Sequence, residues 1–518
     1  MRVRRFLSRD VGFGLLLVAL TFLAYWPALR GGFVWDDELY LVNNPLIKAS
    51  DGLRRFWSTT QFTDYYALSN TSFWLEWRLW GNHATGYHVT NLLLHTVNAL
   101  LIWCVLARLG VRGAWVAALV FALHPVNVMS VAWISERKNV LSLMFALLSV
   151  LAFLRWEEVH KWHWYGLAMG GFALALLSKT AIVMLPCALL LCLWWRHGRV
   201  KLGDVAAVAP FFVLSLAMGL VTVWFERQHG IGEHIVRDDN LAARLAGAGW
   251  AVWFYLGKAL WPVNLSVIYP RWRIDSASAL SWLPLAALVI GFAILWRRRD
   301  RWGRGPLFAL GYFVMMLVPI LGFFDIGFMS YSLVADHWQY AALPGVIALV
   351  CAGAAKTDRR GLLVCGTVVV AALLAVMTFR QTQIWHDDEM LWGSAIARNP
   401  NAWMAHNNLG NALLKRGLPV EAALEYAETI RLQPDYANAH YNLGIVLYQR
   451  GDYATAAGEF RETARLKPRS AEAYNNLGAA LVQLGRTNEA VAEFETASQI
   501  APRWAEPKDN LARLRTAQ

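Results

Sequence analysis

Residues 1–44 read MRVRRFLSRDVGFGLLLVALTFLAYWPALRGGFVWDDELYLVNN: four arginines in the first nine positions, a membrane-length apolar run, then two adjacent carboxylates, Asp36 and Asp37. The run is longer than the core of a cleavable signal peptide and no small-residue cleavage site follows it, so it reads as an uncleaved first membrane helix. The acidic pair opens a loop of nearly 60 residues that ends near Thr90. A carboxylate pair at the outer end of a first span is well placed to face a lipid-borne substrate.

Working outward, 57% hydrophobic residues and 27 tryptophans in 518 positions exceed what a soluble core can hide. The chain therefore reads as a polytopic membrane protein. Apolar segments at 11–29, 92–110, 115–133, 140–156, 164–178, 181–195, 205–225, 282–296, 306–324, 340–355 and 362–379 are expected spans, each near the roughly 20 residues that cross a bilayer. Basic clusters headed by Arg2, Arg108, Arg155, Arg196, Arg297 and Lys356 place the N-terminus in the cytoplasm. The formal charge of +12 is then a topology signal and not a nucleic-acid footprint. A twelfth segment, 245–263, carries Lys258 and ends in WPVN. Parity makes it re-enter without crossing, the alternative being a full span paired with a second crossing in LSVIYPRWRIDSASAL at 265–280. Eleven crossings put the C-terminus outside, with the Asp36 loop. All five cysteines (Cys104, Cys187, Cys192, Cys351, Cys365) lie in apolar segments, where they read as core fillers without disulfide or metal-ligand spacing.

After Arg380 the chain turns polar and alanine-rich, and a 34-residue period appears. Asn-Leu-Gly recurs at 408–410, 442–444 and 476–478, with Gly417, Gly451 and Gly485 and with Pro400, Pro434, Pro468 and Pro502 in the same phase. This is the tetratricopeptide pattern of paired helices with small residues at their crossing. The expected organisation is a membrane domain over 1–380, a linker over 381–400, repeats at 401–434, 435–468 and 469–502, and a closing helix. The fold class is all-α: a polytopic helical membrane domain of about eleven spans plus one re-entrant segment, then an α-solenoid. Such an array offers an extended surface to a protein partner.

The segments FVWDDELYLVNN (33–44), GYHVTNLLLH (86–95), ALVFALHPVNVMSVAWISERKNVLS (118–142), LLSKTAIVMLP (176–186), YLGKALWPVNLSVIYP (255–270) and IARNPNAWMAHNNLG (396–410) carry a resemblance. They resemble the transmembrane and tetratricopeptide-repeat O-mannosyltransferases and their bacterial relatives, within the GT-C class of polyprenyl-phosphate glycosyltransferases. The resemblance implies an inverting transfer of a sugar, mannose-like, from a polyprenyl-phosphate donor to a Ser/Thr hydroxyl of an exported protein. With the orientation set by the basic clusters and by parity, the expected location is a bacterial inner membrane, with a cytoplasmic N-terminus and periplasmic repeats.

That reaction needs a general base, and Asp36 or Asp37 is the expected one, with Asp36 favoured. Mutual repulsion raises one carboxyl toward a useful range, the second then positioning the acceptor or a divalent cation; no clear metal-ligand set accompanies the pair. The leaving lipid phosphate needs cations near the interface. Lys179, Lys258, Arg137, Lys138 and Arg271 are the candidates, Lys179 and Lys258 standing out because a charge in apolar sequence is costly. His88, His124, Glu136, Asp336 and His337 are candidate substrate contacts. ADHWQYAALPG at 335–345 departs from the family's Asp-Arg-Tyr by placing His337 where an arginine stands, which removes that donor. His88 and His95, two turns apart with Asn91 between them, form a polar stripe entering the second span. Competing readings are a non-catalytic membrane scaffold recruiting envelope proteins through the repeats, and a glycan ligase or lipid-modifying GT-C transferase. The concentration of polar outer sequence in the first loop speaks against the ligase.

Overall fold

The computed structural model describes residues 2–60, 65–230 and 236–517. Every regular element among them is helical. The chain divides into two compact units, 1–387 and 388–518.

Six helices in the first unit are long and apolar enough to cross a membrane: Ala84–Arg108, Ile134–Val159, Thr180–His197, Leu202–Gln228, Ala279–Trp302 and Arg360–Gln383. A seventh crossing is made if the pair Ala114–Ala122 and Pro125–Ala132, bent by 50°, counts as one span. The expectation of about eleven spans is therefore corrected to six, or seven with the bent pair, among the described residues. Two of the remaining apolar runs fold as shorter helices, Gly305–Ile320 and Leu343–Ala354, and the first forms the apolar part, Asp10–Ala24, of the helix Arg2–Ala24. Prolines account for much of the shortening: Pro306 opens the helix at Gly305, Pro319 sits in the tight turn Val318–Ile320, and Pro344 opens the helix at Leu343. The run at 164–178 folds as Trp162–Ser178, 17 residues, and does not meet the spanning length. The segment at 245–263 is one continuous helix, Leu241–Leu260. Residues 261–278 contain no helix, so no second crossing hides there. All five cysteines are unpaired, but only Cys192 and Cys351 fill the core, while Cys104 and Cys365 are exposed.

At the bent pair the backbone ladder is interrupted by His124-Pro125, and three carbonyls in sequence are met by side chains from three places. Asn127 donates to the Phe121 carbonyl at 2.7 Å, His95 bonds the Ala122 carbonyl at 3.0 Å, and Thr378 donates to the Leu123 carbonyl at 2.7 Å. Within hydrocarbon such substitution is what makes a broken helix tolerable.

The first loop is itself structured. Short helices at Pro45–Lys48 and Gly52–Ser58 and a longer one at Ala67–Trp80 follow the acidic pair. Leu41, Leu46, Ile47, Phe56 and Phe73 from this loop pack with Tyr87 and Ile134 into one apolar cluster. Each such side chain contributes about 1.5–3 kcal/mol on burial, enough to seat the loop on the start of the Ile134–Val159 helix.

The second unit is a stack of helix pairs: Trp403–Lys415 with Pro419–Leu432, Ala437–Gln449 with Tyr453–Leu466, Ala471–Gln483 with Thr487–Ile500, and then Ala505–Ala517. The glycine of each Asn-Leu-Gly sits under an aromatic ring of the paired helix. A Cβ at Gly410, Gly444 or Gly478 would lie 2.6, 2.7 and 2.8 Å from Tyr426, Phe460 and Phe494.

Candidate functional site

The acidic pair is set by an unusual backbone turn. Trp35 adopts a left-handed conformation (φ 53°), uncommon for a bulky residue, and its ring stacks on Trp133 at 4.4 Å between centroids with planes 3° apart. This turn sends Asp37 inward and leaves Asp36 half-buried. Asp37 is fully enclosed. Its Oδ1 accepts from the Ser135 amide at 2.7 Å and the Ser135 hydroxyl at 2.5 Å, and its Oδ2 accepts from the Val34 amide at 3.1 Å. Burial pushes the Asp37 carboxyl up to about 7, opposed by the three donated bonds and aided a little by the Asp36 charge.

One residue beyond Ser135, Glu136 is also buried and gathers cations. Lys138 Nζ lies 3.1 Å from its Oε1 and Lys179 Nζ lies 3.1 Å from its Oε2. Lys138 also sits over the rings of Tyr40 and Tyr66, which belong to the first loop. Lys179 is delivered by the break after the helix Trp162–Ser178. His337 Nε2 stands 4.0 Å from Glu136, and burial pushes its pKa down to about 3, so the ring is neutral at physiological pH. Two lysines converge on one buried carboxylate. Asp37 and these two lysines are thus tied to consecutive residues, Ser135 and Glu136.

Arg137 points elsewhere. Its guanidinium is fully buried, pairs with Glu76 at 2.7 Å, donates to the Tyr87 carbonyl at 3.0 Å and bonds Asn91. Asn91 in turn donates to the Val131 and Trp133 carbonyls at 3.2 Å. Arg137 therefore locks the first-loop helix Ala67–Trp80 and the start of the second apolar helix to the Glu136 segment. His88 meets the Gly32 carbonyl at 3.4 Å, beneath the acidic turn. His95 bonds Tyr340 at 2.8 Å as well as the bent pair.

The remaining candidates form a separate group. Lys258 donates to the Val263 and Asn264 carbonyls at 2.7 and 3.1 Å and lies over the Tyr269 ring. The Tyr269 hydroxyl donates to Asp336 at 2.9 Å. Arg271 donates to the Val236 carbonyl at 2.8 Å, and His124 bonds the Ala259 carbonyl at 3.2 Å. Asp336, next in sequence to His337, joins this group to the Glu136 centre. Among the described residues no three His, Cys, Asp or Glu side chains converge as a metal site.

Ser135, Glu76, Trp133 and Trp35 shape the site without having been singled out from sequence. Ser135 lay in plain view beside Glu136, but nothing in its spacing pairs it with a residue 98 positions earlier.

The family model described as dolichyl-phosphate-mannose-protein mannosyltransferase matches residues 72–225, and a tetratricopeptide-repeat model matches 391–437, 422–468 and 441–503. The protein O-mannosyl-transferase F38B6.6 of Caenorhabditis elegans is 27% identical over 82% of this chain and 63% of its own length. The protein O-mannosyl-transferases TMTC1 and TMTC4 of Homo sapiens are 25% and 24% identical over 82% and 80% of this chain and 56% and 65% of theirs. The chain is related to the eukaryotic transmembrane and repeat-bearing protein O-mannosyl-transferases. It spans less than two thirds of the length of each of these three relatives. All of them are animal proteins, which overturns the expected bacterial inner-membrane location. Among solved structures, a crystal structure of MamA matches 25% of this chain and 75% of its own, at 20% identity and a TM-score of 0.25.

Proposed function

We propose that the membrane unit is a GT-C-type glycosyltransferase that moves a mannose-like hexose, with inversion, from a polyprenyl-phosphate donor to a Ser/Thr hydroxyl of a polypeptide. The observation that carries this reading is the tie of Asp37 to Ser135 and of Lys138 and Lys179 to Glu136. It brings a carboxylate pair and two lysine ammonium groups to adjoining residues. Relatedness to proteins named as O-mannosyl-transferases supports the same chemistry.

Asp36, the more accessible carboxylate, accepts the acceptor's proton as the oxygen bonds to the anomeric carbon. The bond from that carbon to the phosphate oxygen breaks, and its electron pair leaves on the lipid phosphate, beside Lys138 and Lys179. Asp37 does not touch the reacting atoms: its three hydrogen bonds fix the turn that aims Asp36. The repeats hold the acceptor polypeptide.

The test is transfer of labelled sugar from polyprenyl-phosphate mannose and polyprenyl-phosphate glucose to protein, using purified chain and its Asp36→Asn, Asp37→Asn and Lys179→Met variants. Transfer should fall about 10²–10⁴-fold on loss of the base. Full activity in Asp36→Asn would remove the assigned mechanism.

A further inference from the structure

An apolar furrow runs along the helix Trp162–Ser178, whose C-terminal end delivers Lys179. The helix Trp162–Ser178 contains Gly166, Gly170 and Gly171. Gly171 serves packing, because a Cβ there would stand 3.3 Å from the Phe145 carbonyl and the Ser149 Cβ. Gly166 and Gly170 do not: a Cβ at either would meet nothing within 4 Å. Their bare backbone holds open a furrow of about 550 Å³ between this helix and Ile134–Val159, walled by Leu148, Leu151 and Leu167 and headed by Arg108 and Arg155.

Its dimensions match one leaflet. Along the Ile134–Val159 helix the lining runs from Phe145 to Arg155. Ten residues at 1.5 Å each give ~15 Å, half of the ~30 Å hydrocarbon thickness. The arginine end lies away from the Asp37 site, since Glu136 and Arg137 stand at the opposite end of that helix. Trp164 lines the furrow near the start of its own helix, the position aromatic belts occupy at a membrane interface.

Charge at the head is unbalanced. Glu158 is shared by Arg108 at 3.3 Å, Arg155 at 3.4 Å and Arg196 at 3.3 Å. Arg196 also pairs with Glu157. Three guanidiniums face two carboxylates, and one phosphodiester restores neutrality. Arg108 and Arg155 keep 30% and 44% of their side-chain surface accessible.

We infer that this furrow binds an anionic phospholipid, with its phosphate on Arg108 and Arg155 and one acyl chain laid over Gly166 and Gly170. The site is independent of the transfer chemistry. The occupant is a lipid of the leaflet opposite the acidic pair, and its recognition combines apolar burial with the guanidinium contact. The Gly166–Gly170 spacing also suits a second copy's helix, but a helix–helix seam does not call for two arginines at its mouth.

The experiment is native mass spectrometry of the purified full chain equilibrated with equal amounts of phosphatidylglycerol and phosphatidylcholine, alongside its thermal unfolding midpoint and oligomeric state. Wild type should retain phosphatidylglycerol at one per chain, at least tenfold over phosphatidylcholine. Gly170→Leu, which fills the furrow without a backbone clash, should lower retention at least tenfold. The Arg108→Gln/Arg155→Gln pair should abolish the preference between the two lipids, giving a readout that survives if Gly170→Leu fails to fold. Equal retention of both lipids by wild type overturns the inference. So does unchanged retention in a well-folded Gly170→Leu, or a wild-type dimer that this variant dissociates.

Discussion

Removing the Ser135 hydroxyl should raise the pH at which Asp37 ionises and make stability fall more steeply with pH. Ser135→Ala keeps the 2.7 Å backbone bond to Asp37 and deletes the 2.5 Å hydroxyl bond. A hydrogen bond to a charged group is worth about 1.5–3 kcal/mol and one between neutral groups about 0.5–1.5. The ionised carboxylate therefore loses ~1–1.5 kcal/mol more than the protonated one, which corresponds to about one pH unit. Asp37 would move up by that amount from about 7. Its folded value already lies above the unfolded carboxylate value, so its contribution is complete below about pH 4 and is lost as pH rises through 7. The variant's deficit should accordingly be ~1 kcal/mol at pH 5 and ~2 kcal/mol at pH 9. Tryptophan-fluorescence melts of detergent-purified chain across that range measure it. A deficit equal at both ends, or larger at pH 5, would mean that the hydroxyl does not hold an ionising carboxylate.

Three further outcomes are expected. Glu136→Gln leaves Lys138 and Lys179 without their shared counter-charge in a largely buried place and should cost about 3–5 kcal/mol, partly recovered by adding Lys138→Met; a melt unchanged by Glu136→Gln contradicts the pairing. Gly444→Ala places a methyl 2.7 Å from the Phe460 ring and should destabilise the repeat unit by ~1–3 kcal/mol, seen as an earlier loss of helical circular dichroism. His440 bonds Glu459 at 2.6 Å and the Pro434 carbonyl at 2.8 Å, and the Glu459 bond foremost raises its pKa. Its stabilisation is present below the unfolded histidine value and lost as pH rises through the folded one. His440→Gln should therefore melt earlier than wild type at pH 5.5 and together with it at pH 9; the reverse order would show the ring to be neutral.

The repeats were legible because their period is strict and each phase position has one local task, such as Gly444 beneath Phe460. The membrane unit was legible in class but not in count. An apolar run such as 340–355 satisfies hydropathy equally whether it faces lipid or, as Leu343–Ala348 does, protein. Asp36 and Asp37 could be picked out because they directly follow the first apolar run and open a long polar loop. Arg137 could not be told from Lys138 by sequence, since the difference is made by Glu76, 61 residues earlier. Lys258 stood out as a charge in apolar surroundings, and the backbone carbonyls that receive its hydrogen bonds leave no trace in the sequence.

The triad of side chains that serves the broken helix has a bearing on how sequence variants will present. His95, Asn127 and Thr378 come from three separate segments, and each supplies what a severed ladder lacks at Phe121, Ala122 and Leu123. Loss of any one strands a carbonyl in a medium with no water to replace the donor. Substitutions there should leave per-molecule turnover intact and deplete the number of molecules that reach the bilayer folded. Cells carrying them would show less protein, whereas changes at Asp36 would show normal amounts of silent protein, and the two classes can be told apart by immunoblot before any assay of chemistry.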